Sequence, residues 1–354
     1  MKKSKENKYN LLQDVFDLVW YKLFPERHIK TDISEIFPTL KEKISYEPTR
    51  RTVSHIKFNV GETFKDIITL DLKENPHSYI VGTTGSGKSV MTKVILTNLV
   101  SMYKPSELEI YLADCKRVEL NLFRNVQHCK KFAYKVDDVT QLISDLLKET
   151  NDRYDLFMEH EVTDIFEYNK LPNVKKLKYQ VLYIEEIVML LEDKKKRAMK
   201  LLKQLIAISR ASGLYVFLTT QRPDNTIIDN VVKANINNRI VFKCEDSKNS
   251  IVALDSPGAE NLKGHGHGII KRGSDKIEFQ GYFISNEQVK SIIKPYIISK
   301  NKQKNNTSPY KANKGVLEGD CKLNDKLQRK GNKTSPVANN KVNFSDDLSF
   351  LDNL

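Results

Sequence analysis

The chain has 354 residues, 40% of them hydrophobic, enough for one large α/β domain or two small ones. Its formal net charge of +13 points to a polyanionic partner, yet from residue 291 onward twelve Lys and Arg stand against six Asp and Glu, so +6 of the excess lies in a tail. Four cysteines without a C-x-x-C pair exclude a disulfide scaffold and a zinc site, and no stretch reaches the roughly 20 apolar residues of a bilayer span.

Residues 1–9 are rich in lysine and asparagine and read as a frayed start that leads into no apolar signal core. From Leu11 to Phe24, apolar side chains at 11, 12, 15, 16, 18, 19, 20, 23 and 24 make a wide helical stripe that stops at Pro25. Asp14 and Asp17 on this helix disfavour anionic lipid and favour packing on the chain's own domain or on another subunit. A second short helix is expected over 31–47, completing an N-terminal helical segment, 1–47. Residues 48–75 read as a β-rich lead-in, because apolar and polar residues alternate over 53–60 and 67–72.

The stretch Pro76-His-Ser-Tyr-Ile-Val-Gly-Thr-Thr-Gly-Ser-Gly-Lys-Ser89 runs from a short apolar strand into the pattern G-x-x-x-x-G-K-[ST]. Apolar residues at 90, 91, 94, 95, 99 and 100 continue it as a largely buried helix. This is the pattern of a nucleoside triphosphate site. The backbone from Gly82 through Thr83, Thr84, Gly85, Ser86, Gly87, Lys88, Ser89 and Val90 would cradle phosphates at a helix N-terminus. Lys88 would reach the β- and γ-phosphates, and the Ser89 hydroxyl would hold Mg²⁺.

Further strands at 108–113, 180–184, 214–219 and 239–243 alternate with helices near 137–160 and 195–212, which implies a mostly parallel sheet flanked by helices. Residues 269–271 and 276–283 read as a closing hairpin. Hydrolysis of a triphosphate needs a carboxylate beside the metal and a second group that activates water. The apolar strand that ends in Glu185 and Glu186 supplies both, with Glu185 acting through the metal's water shell and Glu186 on the attacking water. The next strand ends in Thr219-Thr-Gln-Arg-Pro223, where Gln221 would sense the γ-phosphate. Arg210, at a helix end just before that strand, fits two readings alike: a cation favoured by the helix dipole, or an arginine projected across a subunit boundary.

His265 and His267, in Gly264-His-Gly-His-Gly268, have the composition of a loop rather than of a metal site. Asn169-Lys-Leu-Pro172 lacks the aspartate of guanine recognition, which sets a GTPase aside. Residues 291–354 turn to Asn, Lys, Ser, Gly and Pro and read as a disordered basic tail. Its acidic and apolar end, 344–354, serves equally as a docking peptide or as a solubilised terminus.

Over residues 66–285 these motifs resemble the motor domain of the FtsK/SpoIIIE family of DNA translocases. The approach to the phosphate loop from Asp71 is similar to the family's, as is Leu112-Ala-Asp-Cys-Lys-Arg-Val-Glu-Leu120, with Cys115 where proline is usual. Glu149 with Arg153, Tyr154 and Phe157, then Thr219 to Pro223, Lys233 to Phe242 and Gly258 to Gly266, follow in the family's order. The resemblance implies an α/β, RecA-like P-loop ATPase core over 76–290 that uses ATP and Mg²⁺. It further implies a homo-hexameric ring that moves double-stranded DNA through its pore, with Arg210 as the trans-acting arginine. DNA contacts would be made to phosphates, and so be salt-dependent and indifferent to sequence.

Glu185 departs from the family's aspartate by one methylene. The membrane spans and winged-helix domain of the chromosomal members are not visible, so the chain looks like the short forms carried by plasmids and integrative elements. Those serve conjugative transfer, replication or partition. A relaxase or replication protein would be its partner, in the cytoplasm or at the membrane periphery. Two other functions stay open: a protein-translocating secretion ATPase, and a nucleotide-switched docking protein for a DNA-processing complex.

Overall fold

The computed structural model describes residues 40–298 apart from 194 and 226–228. The helix expected over 11–24, most of the one over 31–47, and the tail beyond 298 with its 344–354 end lie outside the described residues.

Four strands, β1 (Ile44–Ser45), β2 (Lys57–Glu62), β3 (Ile67–Asp71) and β4 (Ser78–Val81), precede helix α1 (Lys88–Met102). Then come β5 (Leu108–Asp114), β6 (Cys129–Ala133), α2 (Val136–Glu159), α3 (Ile165–Tyr168), β7 (Tyr179–Glu185) and α4 (Arg197–Ser212). The remainder is β8 (Leu214–Thr220), α5 (Asn230–Asn235), β9 (Asn238–Phe242), α6 (Ser247–Leu254), β10 (His267–Arg272), β11 (Asp275–Phe283) and α7 (Asn286–Ile293). The strands form one sheet in the order β3-β2-β11-β10-β9-β4-β8-β7-β5-β6, with β1 beside β11. The half from β9 to β6 is parallel, and the half from β10 to β3 is antiparallel.

β4, β7, β8 and β9 are buried at every position, as strands covered by helices on both faces must be. Their side chains alternate between two cores. Ile80, Val181, Tyr183 and Phe217 pack with Val94, Ile95 and Leu99 of α1. Tyr79, Val81, Leu182, Ile184, Val216 and Leu218 pack with the apolar stripes of α2 and α4. On α2 the buried face runs through 139, 142, 143, 146, 150, 153 and 157, mostly at a spacing of three and four, with its apolar part at 139, 142, 143 and 146 in this core. Gly213 ends α4 at φ +79°, and a Cβ there would come within 2.5 Å of Ile165, so glycine is required twice over.

Several expectations need correction. The described part of the helix expected over 31–47 is extended instead, with Ile44 and Tyr46 buried, their neighbours Lys43, Ser45 and Glu47 exposed, and the Tyr46 N–H donating to Phe283 O at 2.9 Å. That period of two marks a strand strapped onto the end of β11. The strand expected from 53 begins only at Lys57, because the backbone before it bonds to a side chain: the Tyr103 hydroxyl donates to His55 O at 3.0 Å and accepts from the Lys57 N–H at 3.1 Å. The ordered fold also passes the expected edge at 290. α7 opens with a Ser285/Gln288 capping box, and Tyr296 and Ile298 hydrogen-bond to Gln127 and Asn125.

Candidate nucleotide site

The loop between β4 and α1 sits at the carboxyl edge of the parallel strands. Gly82 N–H donates to Thr220 O at 3.2 Å, and Thr83 N–H to Lys243 O at 3.0 Å, tying the loop to the ends of β8 and β9. Gly87, at φ +121°, lies so close to Gly266 that a Cβ would fall 2.6 Å from its backbone. Gly266 N–H in turn donates to Ser86 O at 2.8 Å, so the loop ahead of β10 clasps the phosphate loop from outside. His265 and His267 belong to this clasp. His265 N–H meets Gly85 O at 3.4 Å, and the His267 ring pairs with Glu278 at 2.5 Å.

A cavity of about 420 Å³ opens on this loop. Of the nine residues expected to bind nucleotide, Thr83, Thr84, Gly85, Gly87, Lys88, Ser89 and Val90 line it, while Gly82 and Ser86 brace it from behind. The Ser86 hydroxyl is buried with no hydrogen-bond partner among the described residues. Across from the loop the wall is made by Phe242, Tyr282, Phe283 and the β1 strap at Glu42 and Lys43.

Lys88 and Glu185 form a buried ion pair, 3% and 2% exposed. Thr219 Oγ1 donates to the other Glu185 oxygen at 2.5 Å. Burial raises the Glu185 carboxyl above its usual range, against the opposing pull of Lys88 and Thr219. Glu186 leaves β7 at φ 58°, a left-handed conformation that costs a side-chain-bearing residue on the order of 1–3 kcal/mol. Its carboxylate accepts from Thr220 Oγ1 at 2.8 Å, Lys116 Nζ at 3.0 Å and Gln221 N–H at 3.2 Å. Burial pushes its pKa up, but these donors outweigh burial and hold it below the usual carboxylate value.

Lys88 and Gln221, the residue after β8, line the cavity, and Glu185 and Glu186 lie directly behind them through the Lys88–Glu185 ion pair and the bond from Gln221 N–H to Glu186, so the four do converge. Arg210 does not join them. It is exposed in the last turn of α4, before β8 begins, and so at the opposite edge of the sheet. Two residues of the family segment 112–120, to which the motif reading gave no role, join the site. Lys116 holds Glu186, and Glu119, partly buried on the cavity wall, accepts from Ser89 Oγ at 2.8 Å. Both lie in the turn after β5, where Asp114 accepts from the N–H groups of Arg117 at 2.7 Å and Leu120 at 3.1 Å. Among the described residues no three His, Cys, Asp or Glu side chains gather as a metal cage. A hydroxyl flanked by carboxylates suits Mg²⁺ delivered with phosphates, which needs only one or two protein carboxylates.

The profile of the FtsK/SpoIIIE family matches residues 39–225, more than half of the chain. The chain belongs to the FtsK/SpoIIIE family. It is 31% identical over 258 residues to the DNA translocase FtsK of Caldanaerobacter subterraneus subsp. tengcongensis, covering 72% of this chain and 36% of that one. It is 32% identical over 233 residues to the DNA translocase SftA of Bacillus subtilis, covering 64% and 24%. The chain thus spans about a third or less of the length of these curated relatives. Among solved structures it is similar to the pCW3 conjugation coupling protein TcpA in its monomer form with ATPγS, at TM-score 0.66 and 27% identity over 73% of this chain and 75% of that one. Likeness to the type VII secretion ATPase EccC of Thermomonospora curvata, TM-score 0.62 at 18% identity, is one of fold alone.

Other FtsK/SpoIIIE motifs prove to be supports. Arg153 of α2, 4% exposed, donates to Ser212 O at 2.7 Å and Lys178 O at 3.0 Å, and Tyr154 OH donates to Ile208 O. Together they satisfy carbonyls at the end of α4, the turn that carries Arg210. Lys233 and Arg239 meet Lys271 on the carboxylate of Asp255, at 2.9, 2.6 and 2.5 Å respectively.

Proposed function

We propose that this protein hydrolyses ATP with Mg²⁺ and couples the turnover to movement along double-stranded DNA, as a homo-hexameric ring. The observation that carries the reading is the convergence of Lys88, Glu185, Glu186 and Gln221 on one phosphate loop in a chain of a DNA-translocase family. Lys88 changes partner, leaving Glu185 for the phosphates, and Glu185 then gives its charge to the metal side. Ser89 would hold Mg²⁺, with Glu185 acting through the metal's water shell, and the ion would supply charge neutralisation there. Glu186, ionised at neutral pH, orients and accepts a proton from the attacking water. Thr219 and Thr220 bond the two carboxylates, and Gln221 follows them, so β8 links the γ-phosphate to the rest of the sheet.

Arg210 sits one length of β8 away, about 20 Å for seven residues, and so serves a neighbouring subunit's site rather than its own. Within this reading the similarity to TcpA favours transfer of a mobile element, with a relaxase or replication protein as partner. Among the described residues no helix is long and apolar enough to cross a membrane; contact with a membrane pore through a partner protein is part of this reading. The test is ATP turnover of the purified full chain with and without long duplex DNA. Stimulation by DNA that is lost in Lys88→Ala and in Glu186→Gln is the expected result. Turnover indifferent to DNA overturns the reading.

A further inference from the structure

The site holds one more carboxylate than the expected pair. Glu119 lies on the cavity wall, accepts from Ser89 Oγ at 2.8 Å, and is delivered there by a turn that Asp114 closes with two backbone hydrogen bonds. Arg117 within that turn takes φ 58°, the left-handed backbone that lets the chain reverse so tightly. Meanwhile both Glu185 oxygens are occupied, one by Lys88 and the other by Thr219.

We propose that Glu119 is a positioning residue for the divalent cation of this nucleotide site, acting through Ser89; the inference rests on the nucleotide reading above. A serine hydroxyl has one proton to give and two lone pairs to offer. With its proton committed to Glu119, Ser89 Oγ presents only lone pairs to a cation. The Glu119 charge adds to the attraction without displacing phosphate, and it works while Glu185 is still tied to Lys88. Outer carboxylates that orient a ligand in this way change metal affinity by roughly 10- to 100-fold.

The experiment is binding of fluorescent mant-ATPγS to the full chain in excess Mg²⁺ and in EDTA, for the wild type, Glu119→Gln, Ser89→Ala and the double variant. Glu119→Gln should lower the Mg²⁺-dependent gain in affinity about tenfold or more and leave the EDTA affinity within about twofold. In the Ser89→Ala background the same substitution should change nothing further. An equal Mg²⁺-dependent gain in wild type and Glu119→Gln overturns the proposal, even if thermal melting shows that Glu119 braces α1. Equal losses in Mg²⁺ and in EDTA overturn it as well. Failure of the wild type to bind mant-ATPγS under either condition removes the nucleotide reading itself, a distinct result.

Discussion

At the scale of single residues, the site is a set of carboxylates each already hydrogen-bonded to a neighbour. Lys88 and Lys116 each neutralise one glutamate, and three hydroxyls, Ser89, Thr219 and Thr220, each satisfy one carboxylate oxygen. Lys116 is itself 42% exposed, so its influence is screened but not lost. Burial raises the Glu186 pKa, and Lys116 is one of the donors that reverse the shift. Removing that cation in Lys116→Met lets burial count for more, so Glu186 takes up its proton at a higher pH. The acid limb of the pH–rate profile should therefore move toward neutrality, while the rate on the plateau stays within a few-fold. A profile superimposable on the wild type would show that Lys116 does not set the Glu186 charge. Lys116 and Glu119 stood in the family segment 112–120 without a role, because their reach depends on the turn that Asp114 closes. The phosphate loop and the Glu185-Glu186 pair were legible, since an apolar run leading into polar groups states its own position at a strand end.

At the scale of elements, continuous apolar runs and three-and-four spacings led to β4, β5, β7, β8, β9, α1, α2 and α4. Elements held by partners rather than by their own pattern were missed. β6 carries two lysines on an edge, and β1 is two residues held by β11. α5 and α6 depend on capping by Asp229 and Asp246, which a composition reading passes over. The motif around Lys233 and Arg239 shows the same limit, because the Asp255 they share comes from the end of α6. The Asp255 carboxyl is held well below its usual range: burial works upward, and the bonds from Lys271, Lys233 and Arg239 prevail. A depressed folded pKa means stability that is present above the ordinary aspartate value near pH 4 and lost as pH falls through the folded value. Asp255→Asn keeps a residue type that tolerates φ 58° and removes only the charge. With the carboxylate 41% exposed, the expected cost is about 1 kcal/mol at pH 7 after allowance for screening. In urea unfolding the gap to the wild type should begin to narrow below about pH 4 and vanish as pH falls through the lower folded value. A gap of the same size at pH 7 and pH 3 would assign the cost to packing instead.

At the scale of the whole molecule, the parallel half of the sheet puts triphosphate chemistry at one edge and Arg210 at the other. The phosphate loop, the glutamates and Gln221 follow the carboxyl ends of β4, β7 and β8. Arg210 precedes the amino end of β8, in a helix turn fixed by Arg153 and Tyr154. No reorientation of a side chain spans a strand of seven residues, so the arginine could complete a site only if a second copy brought it there. That arrangement makes a mixing experiment decisive between the two readings of Arg210. Lys88→Ala abolishes a subunit's own phosphate loop but leaves it able to lend its arginine. Arg210→Ala keeps the loop but has no arginine to lend. Each variant alone should be inactive. Mixed in equal amounts and allowed to assemble at random, they should regain complete sites at about a quarter of the junctions, where an Arg210→Ala subunit receives its arginine from a Lys88→Ala neighbour. DNA-stimulated turnover of the mixture should rise accordingly. If Arg210 served only as the dipole partner of α4, the Arg210→Ala protein would keep its turnover unmixed, and adding the second variant would merely dilute it.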